Sequence, residues 1–93
     1  MRLEFEWDPD KAERNLQKHQ VSFSEAATVF GDSLSLTFFD PDHSIDEERY
    51  ISIGTSYLGN LLIIAHTDRD DRVRIISARK ATRREKRAYE ERD

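Results

Sequence analysis

The sequence of 93 residues contains no cysteine, and only three of its residues are glycine. Without cysteine, the chain can form neither a disulfide framework nor a cysteine-based zinc site. The glycines stand far apart at positions 31, 54 and 59, so the sequence has no glycine-rich loop of the kind that binds nucleotide phosphates. We therefore expect no nucleotide cofactor, and nothing else in the sequence indicates a cofactor of another kind.

Two further absences concern membranes and metals. The longest apolar run, Leu61 to Ala65, is too short to cross a bilayer, and Met1 to Glu6 lack the apolar core of a signal peptide. The three histidines, His19, His43 and His66, do not have the spacing of metal ligands. We expect a cytoplasmic protein with no membrane contact and no metal site.

Charge is abundant but unevenly distributed. Residues 1–68 contain five Lys or Arg against 13 Asp or Glu, a net charge of −8. Residues 69–92 contain ten Lys or Arg against five Asp or Glu, a net charge of +5. A polyanion responds to the local field of the surface that it contacts rather than to the total charge of −4. The C-terminal segment is therefore the candidate nucleic-acid contact.

Three helices are predicted from their first residues. Each begins after a side chain that can accept a hydrogen bond from a free backbone amide, at Asp8, Ser22 and Thr82. Ser22 and Thr82 are each followed three residues later by glutamate, which is the spacing of a capping box. The predicted helices run from 9 to about 19, from 23 to a stop at Gly31, and from 83 to about 92.

Five strands are predicted from apolar patterns. A short edge strand contains Phe5 and Trp7, and four more strands are predicted at 33–39, 49–55, 61–67 and 73–80. The continuously apolar strand 61–67 is expected in the centre of the sheet. Short connections favour antiparallel neighbours, so the predicted fold class is α+β: one domain over residues 1–93, a mostly antiparallel sheet, two N-terminal helices and one C-terminal helix.

The last strand and helix contain a candidate phosphate site. Arg79 and Lys80 end the strand, and Arg83 and Arg84 begin the helix, whose free amides and positive dipole end attract anions. The alternative interpretation is a solvated surface of arginines that pair with nearby glutamates. Strict alternation puts Arg74 on the opposite face from Arg79, so the two can join one site only through a bulge or a twist.

Three stretches of the sequence resemble the BrnT family of bacterial toxins. They are Phe5 to Asp8 with Lys11, the run from Asn15 to Ala26, and the run from Arg74 to Thr82. Gln20 departs from the family pattern, which usually has glycine after the Lys-His pair. The resemblance implies a toxin of a type II toxin–antitoxin pair, with a RelE-like fold, that cuts RNA without a metal and thereby inhibits translation.

The same resemblance implies partners. The expected antitoxin is a BrnA-like ribbon-helix-helix protein that neutralises the toxin in an assembly of two toxins and two antitoxins. Operator DNA is expected to bind only through the antitoxin, and the pair is expected to repress its own operon.

The resemblance also implies site residues. Metal-free cleavage needs a deprotonated 2′-hydroxyl, a stabilised phosphorane and a protonated 5′-oxygen. The implied catalytic residues are Lys18, His19 and Arg79, with Arg79 on the scissile phosphate and either Lys18 or His19 as acid or base. The implied RNA phosphate contacts are Arg74, Lys80 and Arg83, and the charge pattern at the start of the last helix adds Arg84 to them.

Two alternatives stay open at this point. One is a non-catalytic adaptor that binds nucleic acid or an acidic protein through the basic C-terminal strand and helix. The other is an inactive toxin that still binds its antitoxin. Growth arrest on expression, relieved by a neighbouring antitoxin gene, separates an active toxin from both.

Overall fold

The computed structural model describes residues 3–92, which form a five-stranded sheet with helices on both faces. The strands are β1 (Glu4–Glu6), β2 (Leu36–Phe39), β3 (Arg49–Thr55), β4 (Leu61–Arg69) and β5 (Arg72–Lys80). The helices are α1 (Pro9–His19), α2 (Phe23–Thr28) and α3 (Arg83–Glu90), with 3₁₀ turns at Val29–Gly31 and Pro41–His43. The predicted α+β class, with two N-terminal helices and one C-terminal helix, is confirmed.

The strand order is β1-β5-β4-β3-β2, and all neighbours are antiparallel except β1 and β5, which are parallel. The predicted positions of β4 in the centre and of β1 at an edge are confirmed. The predicted strand from residue 33 begins only at Leu36, because the Asp32 carboxylate binds the backbone amides of Leu34 and Thr55 and holds a turn there. Within residues 3–92, no helix has the length and apolar character needed to cross a membrane.

The capping box predicted at Thr82 is confirmed, but the one predicted at Ser22 is only half formed. Ser22 Oγ accepts a hydrogen bond from the backbone amide of Glu25 at 2.9 Å. The Glu25 carboxylate accepts hydrogen bonds from Ser56 Oγ and Asn60 Nδ2, at 2.6 and 2.9 Å. This buried glutamate therefore holds the turn between β3 and β4, a role that its spacing from Ser22 does not reveal.

The first helix ends at His19, and the residue after it, Gln20, has a left-handed backbone with φ 58° and ψ 31°. Its side-chain Nε2 donates to the Gln17 carbonyl at 2.8 Å. A residue with a Cβ adopts this conformation only at a cost. The turn that glycine makes in the family pattern is thus made here by glutamine.

The main core lies between α1, α2 and one face of the sheet. Its buried apolar residues are Val21, Phe23, Ala26, Val29, Leu62, Ile64, Ile75 and Ala78. The buried Asn15 on α1 donates from Nδ2 to the carbonyl oxygens of Val21 and Ala78, at 3.0 and 2.8 Å, and accepts from the Ala78 amide at 3.1 Å. Since β1 pairs with β5 only as far as Arg74, the Asn15 amide substitutes for a neighbouring strand at Ala78.

The pairing of β4 with β5 changes register once. Ala65 pairs with Ser77, whereas the next residue, His66, pairs with Ile75. Ile76 is therefore an extra residue in β5. Such a β-bulge shifts the alternation of side chains by one position. The strict alternation that the sequence predicts along β5 is wrong for this reason.

Candidate functional site

The sheet face beneath α3 contains the candidate site. Directly paired residues of neighbouring strands point to the same side of a sheet, so the registers assign each side chain to a face. Ile53, Ile63 and Arg79 form one such row, and all three line a groove beside Glu85 and Tyr89 of α3. The residues next to each member of this row along its own strand point to the other face of the sheet, which packs against α1 and α2.

The β-bulge brings Arg74 to the same face as Arg79. Arg79 pairs with Ile63 and Arg74 pairs with Thr67, and both partners point to the α3 side of β4. Strict alternation alone would put the two arginines on opposite faces, and the bulge at Ile76, the condition predicted for a shared face, is present. Their rows are about 13 Å apart along the strands, so long side chains on both can contact neighbouring phosphates of one nucleic-acid strand.

Three further arginines on this face, Arg49, Arg69 and Arg72, are absent from the sequence-based site, and the last two pair at the end of the β4–β5 hairpin. Arg49 pairs with Thr67, which pairs in turn with Arg74, so the three residues form one row across β3, β4 and β5. The side chains of Arg49, Arg74 and Arg79 are 34%, 29% and 40% exposed, which leaves each of them accessible to a ligand. We call these three residues the arginine face.

The Arg79 guanidinium is bound by an acidic side chain of the same chain. Its Nη1 and Nη2 donate to the two carboxylate oxygens of Glu85, at 2.7 and 2.8 Å. Glu85 also accepts a hydrogen bond from the Thr82 amide at 2.8 Å. The contacts with Arg79 and Thr82 lower the pKa of Glu85 to about 2, and the same carboxylate raises the pKa of Arg79. A carboxylate of the protein itself thus contacts Arg79 at the start of the last helix, where the sequence predicts a phosphate.

The other basic residues of the predicted cluster do not surround one anion with Arg79. Lys80 pairs with the core residue Leu62, so it lies on the opposite face of the sheet from Arg79. Arg83 and Arg84 are exposed in the first turn of α3 and form no ion pair with any residue in the range 3–92. The predicted group of four cations is therefore divided between two sides of the molecule.

Lys18 and His19 lie behind the sheet relative to Arg79. They form the last turn of α1, which packs on the face opposite to α3. Lys18 is exposed and His19 is half-buried. No hydrogen bond or ion pair in the described part of the chain joins either residue to Arg79, whose carboxylate partner is Glu85.

An apolar groove of about 450 Å³ adjoins the arginine face. Its apolar lining from the sheet consists of Leu36, Phe38, Ile51, Ile53 and Ile63. Phe38 is 55% exposed, an unusual state for a large apolar side chain on a sheet. Unstacked nucleobases are recognised by stacking on aromatic side chains, so this groove and its cationic border suit single-stranded RNA better than a duplex.

The remaining histidine, His66, belongs to the core. Its Nε2 is 2.8 Å from Ser52 Oγ, and its ring lies between those of Phe30 and Tyr50. Burial lowers the pKa of His66, against a smaller opposing effect of Asp68. Among residues 3–92, no group of three or more His, Cys, Asp or Glu side chains is arranged to hold a metal ion.

Comparisons with known proteins give a family from the sequence and a fold from the structure. A family model described as the ribonuclease toxin BrnT of type II toxin–antitoxin systems matches residues 7–85. Among solved structures, the chain resembles the Brucella abortus ribonuclease toxin BrnT with a TM-score of 0.64 and 18% identity, over 88% of this chain and 100% of that chain. At this identity, the likeness establishes the fold alone. None of the curated proteins matches the chain in sequence.

Proposed function

Because the chain belongs to the BrnT family of ribonuclease toxins of type II toxin–antitoxin systems, we propose that it is a metal-independent endoribonuclease that inhibits translation in the cytoplasm. The observation that carries the proposal is the β-bulge at Ile76, which gathers Arg74 and Arg79 on one accessible face. Guanidinium groups bind phosphate through paired hydrogen bonds and stabilise the charge of a phosphorane. In this proposal Arg79 holds the scissile phosphate and Arg74 a neighbouring one.

The proposed reaction uses the RNA's own 2′-hydroxyl as the nucleophile. The 2′-oxygen loses its proton and attacks phosphorus, and the 5′-oxygen leaves with a proton, which yields a 2′,3′-cyclic phosphate and a 5′-hydroxyl. Lys18 and His19 are the proposed acid and base for an RNA strand that passes round the edge of β5 beside the Asn15 side chain, which binds the backbone of Ala78. The phosphate that reacts must then lie at this edge, within reach of both Arg79 and the end of α1. That edge lies between α1, which ends with these two residues, and the arginine face.

We predict that the purified protein cleaves single-stranded RNA in excess EDTA. The reaction above needs arginine and proton-transfer groups but no metal-bound water. Gel analysis of a labelled RNA measures the cleavage, and the matched control is the same RNA with a single 2′-deoxy nucleotide at the cleaved position, which is expected to resist. Loss of cleavage in EDTA, with recovery on addition of Mg²⁺ or Mn²⁺, would contradict the mechanism. RNA binding without cleavage under any condition would favour the non-catalytic adaptor.

We further propose that a BrnA-like ribbon-helix-helix antitoxin inhibits the toxin by covering its basic end. Type II systems pair a toxin with a protein antitoxin, and the exposed cations at the start of α3 attract an acidic partner segment as well as RNA. In the proposed assembly, two toxins bind two antitoxins. Operator DNA is bound through the antitoxin alone, and the complex represses its own operon.

Reversal of charge in the double variant Arg83→Glu, Arg84→Glu is expected to weaken RNA binding and antitoxin binding together. Both residues are solvent-exposed, so the effect should be larger on the association rate than on dissociation and should shrink as salt rises. Surface-immobilised toxin gives both rates, and Arg14→Glu on α1 is the matched control. If RNA binding falls while antitoxin affinity stays unchanged, the antitoxin binds elsewhere, and the helical surface of residues 9–30 is the next candidate.

A further inference from the structure

We propose that Arg49, the first residue of β3, is a phosphate-binding residue of the same RNA site as Arg74 and Arg79. This inference rests on the proposed function, because it assumes that RNA lies along the arginine face. Arg49 belongs to neither the BrnT-like sequence stretches nor the basic C-terminal segment. Its assignment comes from the register of the sheet and from the contacts of its side chain.

The first argument is position. Arg49 and Arg74 flank Thr67 in one cross-strand row, so their Cα atoms are two strand spacings apart, about 10 Å. The Thr67 hydroxyl donates to the Glu48 carbonyl and is buried, so it does not compete for a ligand. Two long cationic side chains on either side of a short, buried residue form a shallow cradle for an anion.

The second argument is the pairing state of the three guanidinium groups. Arg79 makes two short hydrogen bonds with Glu85, and Arg74 Nη1 is 2.8 Å from Glu6 Oε2. Arg49 Nε is 4.0 Å from its nearest carboxylate oxygen, on Glu47, which is too long for a hydrogen bond. Within residues 3–92, this Nε is buried and has no hydrogen-bond partner.

The buried Nε does not itself contact a ligand, but the lack of a hydrogen-bonded carboxylate leaves the charge of this guanidinium poorly compensated within the protein. Glu47 contributes little compensation, because it is also shared with Arg69, whose Nη2 is 3.8 Å away. Arg49 is thus the member of the arginine face that the protein's own carboxylates satisfy least. A phosphate that binds Arg49 does not have to break a hydrogen bond to a carboxylate of the protein, whereas one that binds Arg74 or Arg79 does.

The test is binding of a fluorescein-labelled, fully 2′-O-methylated RNA 20-mer, which has no free 2′-hydroxyl for attack. The variant Arg49→Gln removes the charge but keeps a polar side chain in the same row as Thr67, and it is expected to preserve the fold. Fluorescence anisotropy over a range of salt concentrations gives both Kd and its salt dependence. The control is Arg14→Gln, which removes an arginine from α1 on the opposite side of the sheet.

The expected result is a roughly tenfold weaker Kd for Arg49→Gln. The slope of log Kd against log salt should also fall by about 0.7, the value for one lost phosphate contact with a single strand. A residue that only supports the fold would change stability without changing this slope. An unchanged Kd and slope in Arg49→Gln, with weakened binding in Arg79→Gln, would remove Arg49 from the site and leave the proposed function standing. Unchanged binding in both variants would instead count against RNA on the arginine face altogether.

A second measurement uses the wild-type protein and so does not depend on any variant folding. Phenylglyoxal modifies exposed arginines, and mass spectrometry after digestion reports the modified positions. Bound 2′-O-methyl RNA is expected to protect Arg49 and Arg79 but not Arg14. Equal modification of Arg49 with and without RNA would overturn the proposal.

Discussion

Replacing Arg79 with alanine is expected to lower the rate of RNA cleavage by about 10²–10³-fold, the usual cost of losing one preorganised contact to a charged transition state. The fold is expected to remain, because Arg79 and Glu85 are 40% and 34% exposed and a solvent-accessible ion pair stabilises a protein by about 1 kcal/mol or less. Glu85 also keeps its hydrogen bond from the Thr82 amide, so the first turn of α3 stays capped. Cleavage of a labelled RNA by purified variants, with circular dichroism as the check on folding, measures both effects.

The matched control is Glu85→Gln, which breaks the same ion pair but leaves the guanidinium in place. If Arg79 binds phosphate, this variant keeps its activity or gains some, because the internal carboxylate no longer competes with RNA. If Arg79 serves only to hold α3, the two variants lose activity alike. Arg79→Lys adds a third comparison, since lysine restores the charge without the paired donors of a guanidinium.

The largest effect on stability is expected for Asn15→Ala, at about 3 kcal/mol. The substitution leaves the buried Ala78 amide and carbonyl and the Val21 carbonyl without their side-chain partner. A buried polar group that loses its partner costs about 1–3 kcal/mol, and a domain of this size has only about 5–15 kcal/mol of stability in total. Urea unfolding monitored by the fluorescence of Trp7 gives the difference in free energy of unfolding.

Two comparisons separate lost hydrogen bonds from lost volume. Asn15→Asp keeps the size of the side chain, but at neutral pH its second oxygen faces the carbonyls of Val21 and Ala78 without a proton to donate, so we expect a loss at least as large. Gln17→Ala on the exposed side of α1 removes only a hydrogen bond to Glu13 and should change stability by no more than about 0.5 kcal/mol. A loss below about 1 kcal/mol in Asn15→Ala would mean that the amide does little for the edge of β5.

The helices and strands could be predicted because their signals are local. Asp8, Ser22 and Thr82 cap the three helices as their side chains predict, and β3 has the predicted bounds of 49–55. The direction of β1 could not be predicted in this way, since its partner β5 lies more than sixty residues away and no turn connects the two. The role of Glu25 was missed for a similar reason, because Ser56 and Asn60 reach it from a distant turn.

The site was harder to predict than the fold because it depends on one extra residue. The bulge does leave a trace in the sequence: from Arg72 to Arg79 the polar residues of β5 stand at 72, 74, 77 and 79, so their spacing of two becomes three across the apolar pair Ile75 and Ile76. Arg49 could be placed from the sequence only through its spacing of two from Ile51, which puts both residues on one face of β3. The assignment of Lys18, His19 and Arg79 as catalytic residues comes from the resemblance to the BrnT family, and their catalytic roles stay predictions.

The parallel pairing of the first and last strands determines when, during its own synthesis, this toxin becomes a folded protein. Glu6 contacts Arg74, which is 68 residues later in the sequence, and Asn15 contacts Ala78, which is 63 residues later. A nascent chain that has not yet reached Arg72 has no strand between β1 and β4, and contacts of such long sequence separation form late. The arginine face therefore forms only after β5 has been synthesised, and a chain that stops before Arg72 lacks two of its three arginines, Arg74 and Arg79.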